Sequence, residues 1–231
     1  MTTAVCYFSD FELFTSRKHP RIAETLSPDE LTTAGALRLA RKLQQVEVEP
    51  PPLPEGKYKA ILADPPWQYS NAGLGGAAEK HYATLSLEEI CELEDAHGRK
   101  ITDLPADNSV LFLWVTSSFL QEGLEVCRAW GFPYKTHFIW IKDKETYGKL
   151  GFYTYSQHEF LFVAVRGSCL PDGELVPSII SAPKSKHSRK PDITYEIIEQ
   201  MYKLNPNRPT HIELFARNGR DGWTSWGVGI S

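Results

Sequence analysis

The sequence has few cysteines, no long apolar run and no excess of basic charge, and each of these absences excludes a class of protein. Its four cysteines, Cys6, Cys91, Cys127 and Cys169, are scattered and form no CxxC pair, which argues against a zinc ribbon or a disulfide framework and fits a reducing compartment. Apolar runs such as residues 110–115 are far shorter than the ~20 residues that cross a bilayer. Because no basic segment followed by an apolar one opens the chain, we expect a cytoplasmic protein with no membrane partner.

The charge balance is slightly acidic, with 25 basic and 29 acidic residues and a net charge of −4. A general electrostatic attraction for nucleic acid is therefore lacking, and any such contact must come from a local basic patch. Hydrophobic residues make up 42% of the chain and charged residues 23%, as is ordinary for a globular protein. The 231 residues fit one large domain or two small ones.

A proline-rich run at residues 50–54 indicates a boundary. Proline cannot continue a helix, so we expect an extended linker here. Upstream of it, Ser27 and Pro28 are typical of a helix start. We therefore divide the chain into an N-terminal extension with one helix and the linker, residues 1–56, and a larger domain, residues 57–231. The alternative is a proline loop within one domain.

Beyond the linker, apolar runs alternate with helical patterns. Runs that are apolar on both faces are typical of a mostly parallel sheet with helices on both sides, so we predict an α/β fold. The predicted strands are residues 58–63, 109–115, 135–141, 160–165 and 210–216, and the predicted helices are residues 85–93, 119–130 and 193–204. Two long polar stretches, residues 68–82 and 169–190, interrupt the pattern, and loops of that length are usually functional or mobile.

The segment Asp64-Pro65-Pro66-Trp67 directly follows the first predicted strand. Ligands in open α/β sheets bind at this end of the strands. Prolines lack the N–H group, so the carbonyls of such a turn are left free to accept hydrogen bonds. A planar amino group would fit there, with one proton on Asp64, the other on the Pro65 carbonyl, and Trp67 stacked on the base. The alternative is a strand-ending turn with a capping aspartate and a packed tryptophan.

Four motifs in a fixed order carry a resemblance to a known family. They are residues 64–67 (Asp-Pro-Pro-Trp), 112–115 (Phe-Leu-Trp-Val), 188–192 (Ser-Arg-Lys-Pro-Asp) and 212–217 (Ile-Glu-Leu-Phe-Ala-Arg). Together they resemble the MT-A70 family of S-adenosylmethionine-dependent adenine amino-methyltransferases, over about residues 58–226. The resemblance implies a Rossmann-like class I methyltransferase fold with permuted motif order, in which the catalytic tetrapeptide precedes the cofactor-binding strand.

The resemblance also implies roles for individual residues. Asp64, Pro65, Pro66 and Trp67 match the catalytic motif, and Asp64 would also lie near the methionine amino group of the cofactor. Tyr82 matches an aromatic residue near the acceptor base, unless it is only a surface tyrosine before a helix. The residues that match the cofactor-binding positions are His158, in place of a lysine that faces the cofactor carboxylate, and Glu213, Phe215, Arg217 and Asn218. Glu213 either contacts the cofactor or only orients Arg217.

One departure from the family concerns the end of the chain. The family usually closes with a Gly-Asn-(Gln or Glu) element whose amide contacts the ribose. Here the corresponding residues are Gly227, Val228 and Gly229, which cannot make those side-chain bonds. The departure bears on cofactor affinity rather than on the reaction class.

A dense basic run lies in the second polar stretch and comprises Lys184, Lys186, His187, Arg189 and Lys190. Because it leads into the helix beside the expected active site, we predict that it binds substrate phosphates; the alternative is a solvated surface loop. No second His, Cys or acidic residue stands at ligand spacing from His187, so we predict no metal.

The leading hypothesis is methylation of the 6-amino group of adenine in nucleic acid. The target must be single-stranded or flipped out of a duplex. A compact chain without an obvious RNA-binding module favours DNA over RNA. The alternatives are a catalytically inactive family member that acts as a nucleic-acid-binding or scaffold partner, and cytosine amino methylation, which Asp64 disfavours because the related tetrapeptide usually opens with Ser. The sequence leaves the oligomeric state open, with a homodimer and a heterodimer as the candidates.

Overall fold

The computed structural model describes residues 50–68, 84–143, 153–183 and 189–228. The chain divides into two units, Met1–Val48 and Glu49–Ser231, and all described residues belong to the second. The predicted N-terminal helix lies outside the described residues. So do four predicted site residues, namely Tyr82, Lys184, Lys186 and His187. Gly229, the last residue of the segment that departs from the family pattern, also lies outside them.

The described residues form one mixed, mostly parallel sheet flanked by helices, which confirms the predicted fold class. The strands are β1 (Tyr58–Ala63), β2 (Pro105–Thr116), β3 (Tyr134–Asp143), β4 (His158–Arg166), β5 (Ile179–Pro183), β6 (His211–Leu214) and β7 (Trp223–Trp226). Their order is β5-β3-β4-β2-β1-β6-β7. β4 is antiparallel to both of its neighbours, β2 and β3, whereas the other pairs are parallel.

Alternation along the strands gives the sheet two buried faces. The helices are α1 (Leu87–Cys91), α2 (Leu120–Ala129) and α3 (Ile193–Met201), with short 3-10 turns at Ile101–Asp103 and Ser117–Phe119. α1 and α2 pack on one face, where Ile61 and Ala63 of β1 point. α3 packs on the other, where Ala60 and Leu62 point. By the same alternation, Asp64 follows β1 on the α3 side of the sheet.

The proline-rich run is fastened to the larger unit. The N–H of Leu53 donates to Asp95 Oδ2 at 2.8 Å, and Arg99 Nη1 donates to the Leu53 carbonyl oxygen at 2.8 Å. Trp226 Nε1 donates to the Pro51 carbonyl oxygen at 2.8 Å. The sequence analysis placed these residues in the extension because prolines favour linkers; here the carbonyl oxygens of Pro51 and Leu53 accept hydrogen bonds and the Leu53 side chain is buried.

The second predicted long loop, residues 169–190, contains the edge strand β5, which the sequence analysis missed. β5 pairs in parallel with β3, with Ile139 opposite Ile179. Ile179 and Ser181 are exposed, so this short strand lacks the continuous apolar run that marks the central strands. Exposure on an edge removes the sequence signal on which strand prediction depends.

Candidate active site

The segment from Asp64 to Trp67 forms a tight turn at the carboxyl end of β1. The N–H of Trp67 donates to the Pro65 carbonyl oxygen at 2.9 Å. Leu85, on the far side of the first polar stretch, donates its N–H to the Pro66 oxygen at 2.9 Å. A carbonyl oxygen has two lone pairs, so the Pro65 oxygen can accept a further hydrogen bond.

A row of alternating charges extends from Asp64 across the sheet. Lys190 Nζ donates to Asp64 Oδ1 at 2.8 Å and to Oδ2 at 2.9 Å, and it lies 3.3 Å from Glu159 Oε2. Glu159 Oε1 lies 2.6 Å from Lys142 Nζ. We call Lys142, Glu159, Lys190 and Asp64 the charged row. Its positive and negative charges cancel.

Two tryptophans support the charged row. The ammonium nitrogen of Lys190 lies 5.5 Å from the ring centroid of Trp114, and that of Lys142 lies 5.4 Å from the centroid of Trp140. The two indoles pack edge to face at 5.8 Å. Both ammonium groups are within the distance at which an aromatic ring attracts a cation, so ring and carboxylate contacts together offset the loss of hydration.

Burial and neighbouring charges shift the pKa values within the row. Burial favours a neutral Lys190, yet the carboxylates of Asp64 and Glu159 prevail and raise the pKa of its ammonium. Burial raises the pKa of Asp64, with Lys190 acting in the opposite direction. The pKa of Glu159 is lowered because Lys190 and Lys142 together outweigh its burial. Pairing therefore stabilises the charges of Lys190 and Glu159, whereas burial makes the charge of Asp64 costly.

Glu213 of β6 lies beside the charged row. Tyr195, on α3, donates its hydroxyl to Glu213 Oε1 at 3.0 Å. Burial raises the pKa of Glu213 to about 7; the Tyr195 hydrogen bond and Arg220 act against this rise, and the charge of Asp64 adds to it. Glu213 therefore changes charge close to neutral pH.

The chain turns sharply after β6. Phe215 has a φ of 62°, in the left-handed region that residues other than glycine seldom adopt. Its ring packs edge to face on Trp226 at 5.8 Å, and the Trp226 carbonyl oxygen accepts from Ala216 at 2.9 Å. A Cβ on Gly227 would overlap the Ala216 carbonyl oxygen. Close packing of β7 on this turn therefore requires glycine at position 227.

The structure brings most of the predicted cofactor-binding residues to one edge of the sheet. Phe215, Arg217 and Asn218 directly follow β6, which pairs in parallel with β1, so they lie at the same sheet edge as Asp64. Arg217 is near enough for its positive charge to act against the burial that raises the pKa of Asp64. Glu213 completes this group from within the strand.

His158 does not join the group. Its imidazole lies 3.4 Å from Ser117 Oγ and packs edge to face on Phe160, on the α2 side of the sheet. Glu159, one residue further, points to the α3 side and contacts Lys190. The expectation that His158 replaces the carboxylate-facing lysine therefore does not match this geometry, in which Lys190 is the lysine beside Asp64.

Trp67 is buried rather than open. The residue is 8% exposed, and its indole stacks on Phe119 at 5.3 Å and donates to the Trp114 carbonyl oxygen at 3.3 Å. Because one face of the Trp67 ring stacks on Phe119, a base could stack only on the other face, and burial leaves little of that face exposed. In this conformation Trp67 supports the turn, as in the alternative considered from the sequence.

Two members of the predicted phosphate-binding run are already paired with acids. Lys190, 17% exposed in its side chain, belongs to the charged row. Arg189 Nη2 lies 2.7 Å from Asp192 Oδ1. The expectation that Lys190 grips a phosphate is therefore at odds with its burial against Asp64, whereas Arg189 is exposed and its role stays a prediction.

Sequence analysis missed Lys142 and Glu159. A usable signal was present: both are charged residues at the end of apolar strands, Lys142 near the end of β3 and Glu159 near the start of β4. Because β4 is antiparallel to β3, these positions meet at the edge where β1 ends. A charge in that place is paired or functional.

The chemistry of the donor set fits the amino-acid end of S-adenosylmethionine. A zwitterion carries an ammonium and a carboxylate, and Asp64 and Lys190 offer the complementary charges side by side. Within the described ranges, no group of three or more His, Cys, Asp or Glu residues could hold a metal ion. No helix in the described part of the chain is long and apolar enough to cross a membrane.

Comparison with known proteins gives the family. The family model described as MT-A70 matches residues 58–229. The chain is 34% identical over 201 residues to the type II methyltransferase M.MunI of Mycoplasma sp, covering 78% of this chain and 81% of that protein. It is 30% identical over 179 residues to a probable N(6)-adenosine-methyltransferase MT-A70-like of Oryza sativa subsp. japonica, covering 74% of this chain and 23% of that protein.

A third relative, the N(6)-adenosine-methyltransferase catalytic subunit METTL3 of Homo sapiens, is 30% identical over 184 residues, which are 74% of this chain and 28% of that protein. The chain thus spans about a quarter of the length of the two eukaryotic relatives. The family model covers most of the chain, including every motif that carried the resemblance. The chain belongs to the MT-A70 family.

Proposed function

We propose that the protein is an S-adenosylmethionine-dependent methyltransferase that methylates the 6-amino group of adenine in nucleic acid, with DNA favoured over RNA. The observation that carries this proposal is the pairing of Asp64, in the Asp-Pro-Pro-Trp turn, with the buried Lys190. An aspartate and a lysine at the carboxyl end of a central strand bind an amino-acid zwitterion and leave carboxylate lone pairs for an amino group.

Cofactor binding is shared between two sides of the site. Lys190 binds the carboxylate of the methionine part, and Asp64 accepts from its ammonium. Phe215, Arg217 and Asn218, beyond the end of β6, hold the adenosine end. The bound cofactor supplies a methyl group already activated on a sulfonium, so the protein needs neither a covalent intermediate nor a strong base.

The chain's own contribution to the reaction is alignment. A carboxylate has about four acceptor sites, of which Lys190 occupies two, so Asp64 can also accept from the adenine amino group. The Pro65 carbonyl oxygen has one lone pair left for the second amino proton. Holding nucleophile and electrophile in line removes much of the entropic barrier.

The preference for DNA rests on the compact methyltransferase domain and on the relative that this chain covers over most of its length, the type II methyltransferase. The eukaryotic relatives named as adenosine methyltransferases support the base and the atom that is methylated. The two groups together support the class of reaction and the adenine target.

The test is to incubate the protein with labelled cofactor and matched single-stranded and duplex DNA and RNA, and then to digest the products for mass spectrometry. We expect N(6)-methyladenine, mostly in DNA, with Asp64→Asn as the inactive control. Methylated cytosine would support the cytosine alternative instead. Failure to bind cofactor in calorimetry would refute the proposal in favour of a binding or scaffold role.

A further inference from the structure

Arg220 lies outside the motifs that the sequence analysis identified, yet two side chains hold it. Its Nε donates to Glu199 Oε1 at 3.0 Å. Its guanidinium carbon lies 4.4 Å from the centroid of the Tyr195 ring. The same Glu199 oxygen accepts from Trp223 Nε1 at 2.8 Å, and Tyr195 packs edge to face on Trp223 at 5.4 Å. A polar side chain held this way is fixed in orientation.

Arg220 sits within the segment that joins β6 to β7, residues 215–222, which we call the cofactor loop. This loop carries Arg217 and Asn218, two of the proposed adenosine contacts. Both are exposed, as is Gly219, so the middle of the loop has little packing of its own. The contact of Arg220 with α3 therefore attaches this exposed part of the loop to the rest of the fold.

The helix to which Arg220 attaches also begins beside the charged row. Lys190 lies directly upstream of α3, and Tyr195 and Glu199 lie on it. Tyr195 touches Arg220 on one side and donates to Glu213 on the other. α3 thus connects Lys190, at the methionine end of the site, with the cofactor loop, at the adenosine end.

We propose that Arg220 is a positioning residue for cofactor binding: held between Glu199 and Tyr195, it fixes the cofactor loop in the conformation that receives the adenosine end. The inference rests on the proposed function. It does not require Arg220 to touch the cofactor. A charge-assisted hydrogen bond to a partly buried carboxylate is among the stronger polar contacts in proteins, which suits a fixed support rather than a transient one.

The test is the cofactor dissociation constant, measured by calorimetry on the full chain. We expect Arg220→Ala to weaken binding about tenfold, which is ~1.4 kcal/mol, and to raise the KM for cofactor in step. The KM for the oligonucleotide and kcat should stay within about twofold. Arg208→Ala is the matched control, because Arg208 is exposed and lies outside the cofactor loop.

Three further variants keep the test decisive. Glu199→Gln retains an oxygen acceptor for Arg220 and should weaken cofactor binding less than Glu199→Ala does. The double variant of Arg220→Ala and Glu199→Ala should lose no more cofactor affinity than the weaker-binding single variant. Both single changes remove the same contact between Arg220 and Glu199, so their effects should not add. Strictly additive losses would overturn the proposal.

Unchanged cofactor binding by Arg220→Ala, or equal weakening of cofactor and oligonucleotide, would refute the inference while leaving the proposed function intact. Absence of cofactor binding by the wild-type protein would refute the proposed function, and this inference with it. Melting temperatures of all variants, recorded alongside, identify any variant that loses the fold. In place of such a variant, cofactor binding by Glu199→Gln, compared with that by the wild type, tests the contact between Arg220 and Glu199.

Discussion

Replacing Lys190 with methionine would remove one positive charge from between two carboxylates while keeping most of the side-chain volume. Lys190 contacts Asp64 at 2.8 Å and Glu159 at 3.3 Å. Removing one partner of a buried ion pair usually costs roughly 3–5 kcal/mol. Asp64 retains some contact with water, being 26% exposed, and Glu159 keeps Lys142. We therefore expect a loss near the lower limit, about 3 kcal/mol of unfolding free energy at pH 8.

The loss should depend on pH in a defined direction. Lys190 acts against the rise in the native pKa of Asp64 and helps to lower that of Glu159. Without Lys190, both pKa values should therefore be higher than in the wild type. A carboxyl group whose native pKa exceeds its unfolded value destabilises the fold above that unfolded value, because the unfolded state then releases the proton more readily. The difference between variant and wild type should therefore be largest at pH 8 and shrink toward pH 4.

Urea denaturation followed by tryptophan fluorescence at both pH values measures this difference. Lys203→Met is the matched control, since Lys203 is an exposed lysine just beyond α3. Cofactor calorimetry on the same proteins gives the functional effect, where we expect weaker binding. Equal stability of variant and wild type at pH 8 would refute the pairing. Unchanged cofactor binding with a shallower salt dependence of nucleic-acid binding would restore the phosphate-binding hypothesis for Lys190.

Three other replacements test the remaining parts of the site. Asp64→Asn should lower the rate of methyl transfer at least tenfold, which is ~1.4 kcal/mol of barrier, with the circular dichroism spectrum retained; a smaller loss would contradict the role of Asp64. Trp67→Ala should lower the unfolding free energy by about 3–5 kcal/mol in denaturant titrations, whereas a purely substrate-stacking Trp67 would leave stability unchanged. Glu213→Gln should stabilise the fold at pH 8 but not at pH 4, because the native pKa of about 7 against an ordinary 4.5 makes the ionised form costly; equal melting temperatures of variant and wild type at pH 8 would count against it.

The central strands could be predicted from the sequence because they are apolar on both faces. β1 has the predicted bounds, and β2, β3, β4 and β6 overlap their predicted ranges. β5 and β7 could not be recognised. β7 is a four-residue strand, Trp-Thr-Ser-Trp, with partly exposed middle residues. Short strands at the edges of a sheet depend on the neighbouring strand for their conformation, and the local sequence does not record that neighbour.

The position of the Asp-Pro-Pro-Trp turn could be predicted because its residues are consecutive and directly follow an apolar strand, whereas its contact with Lys190 could not. Lys190 and Asp64 are 126 residues apart, and only the sheet order and the position of α3 bring them together. The position of His158 on the other face of the sheet has a similar cause. Successive residues of a strand point to opposite faces, so a shift of one residue exchanges the side chain of His158 for that of Glu159. The lysine that lies beside Asp64, Lys190, comes from another part of the chain.

Charge neutrality of the row has a consequence for how the two substrates are recognised. Two positive and two negative side chains leave no net charge with which to attract a polyanion, and the chain as a whole is acidic. A zwitterion, in contrast, gains from both signs at once, since Asp64 and Lys190 present opposite charges within 2.8 Å. Under the proposed function we therefore expect the row to bind the amino-acid end of the cofactor, and residues outside it to hold the phosphates of the nucleic acid. Arg189, which is exposed and pairs with Asp192, stays a predicted phosphate contact.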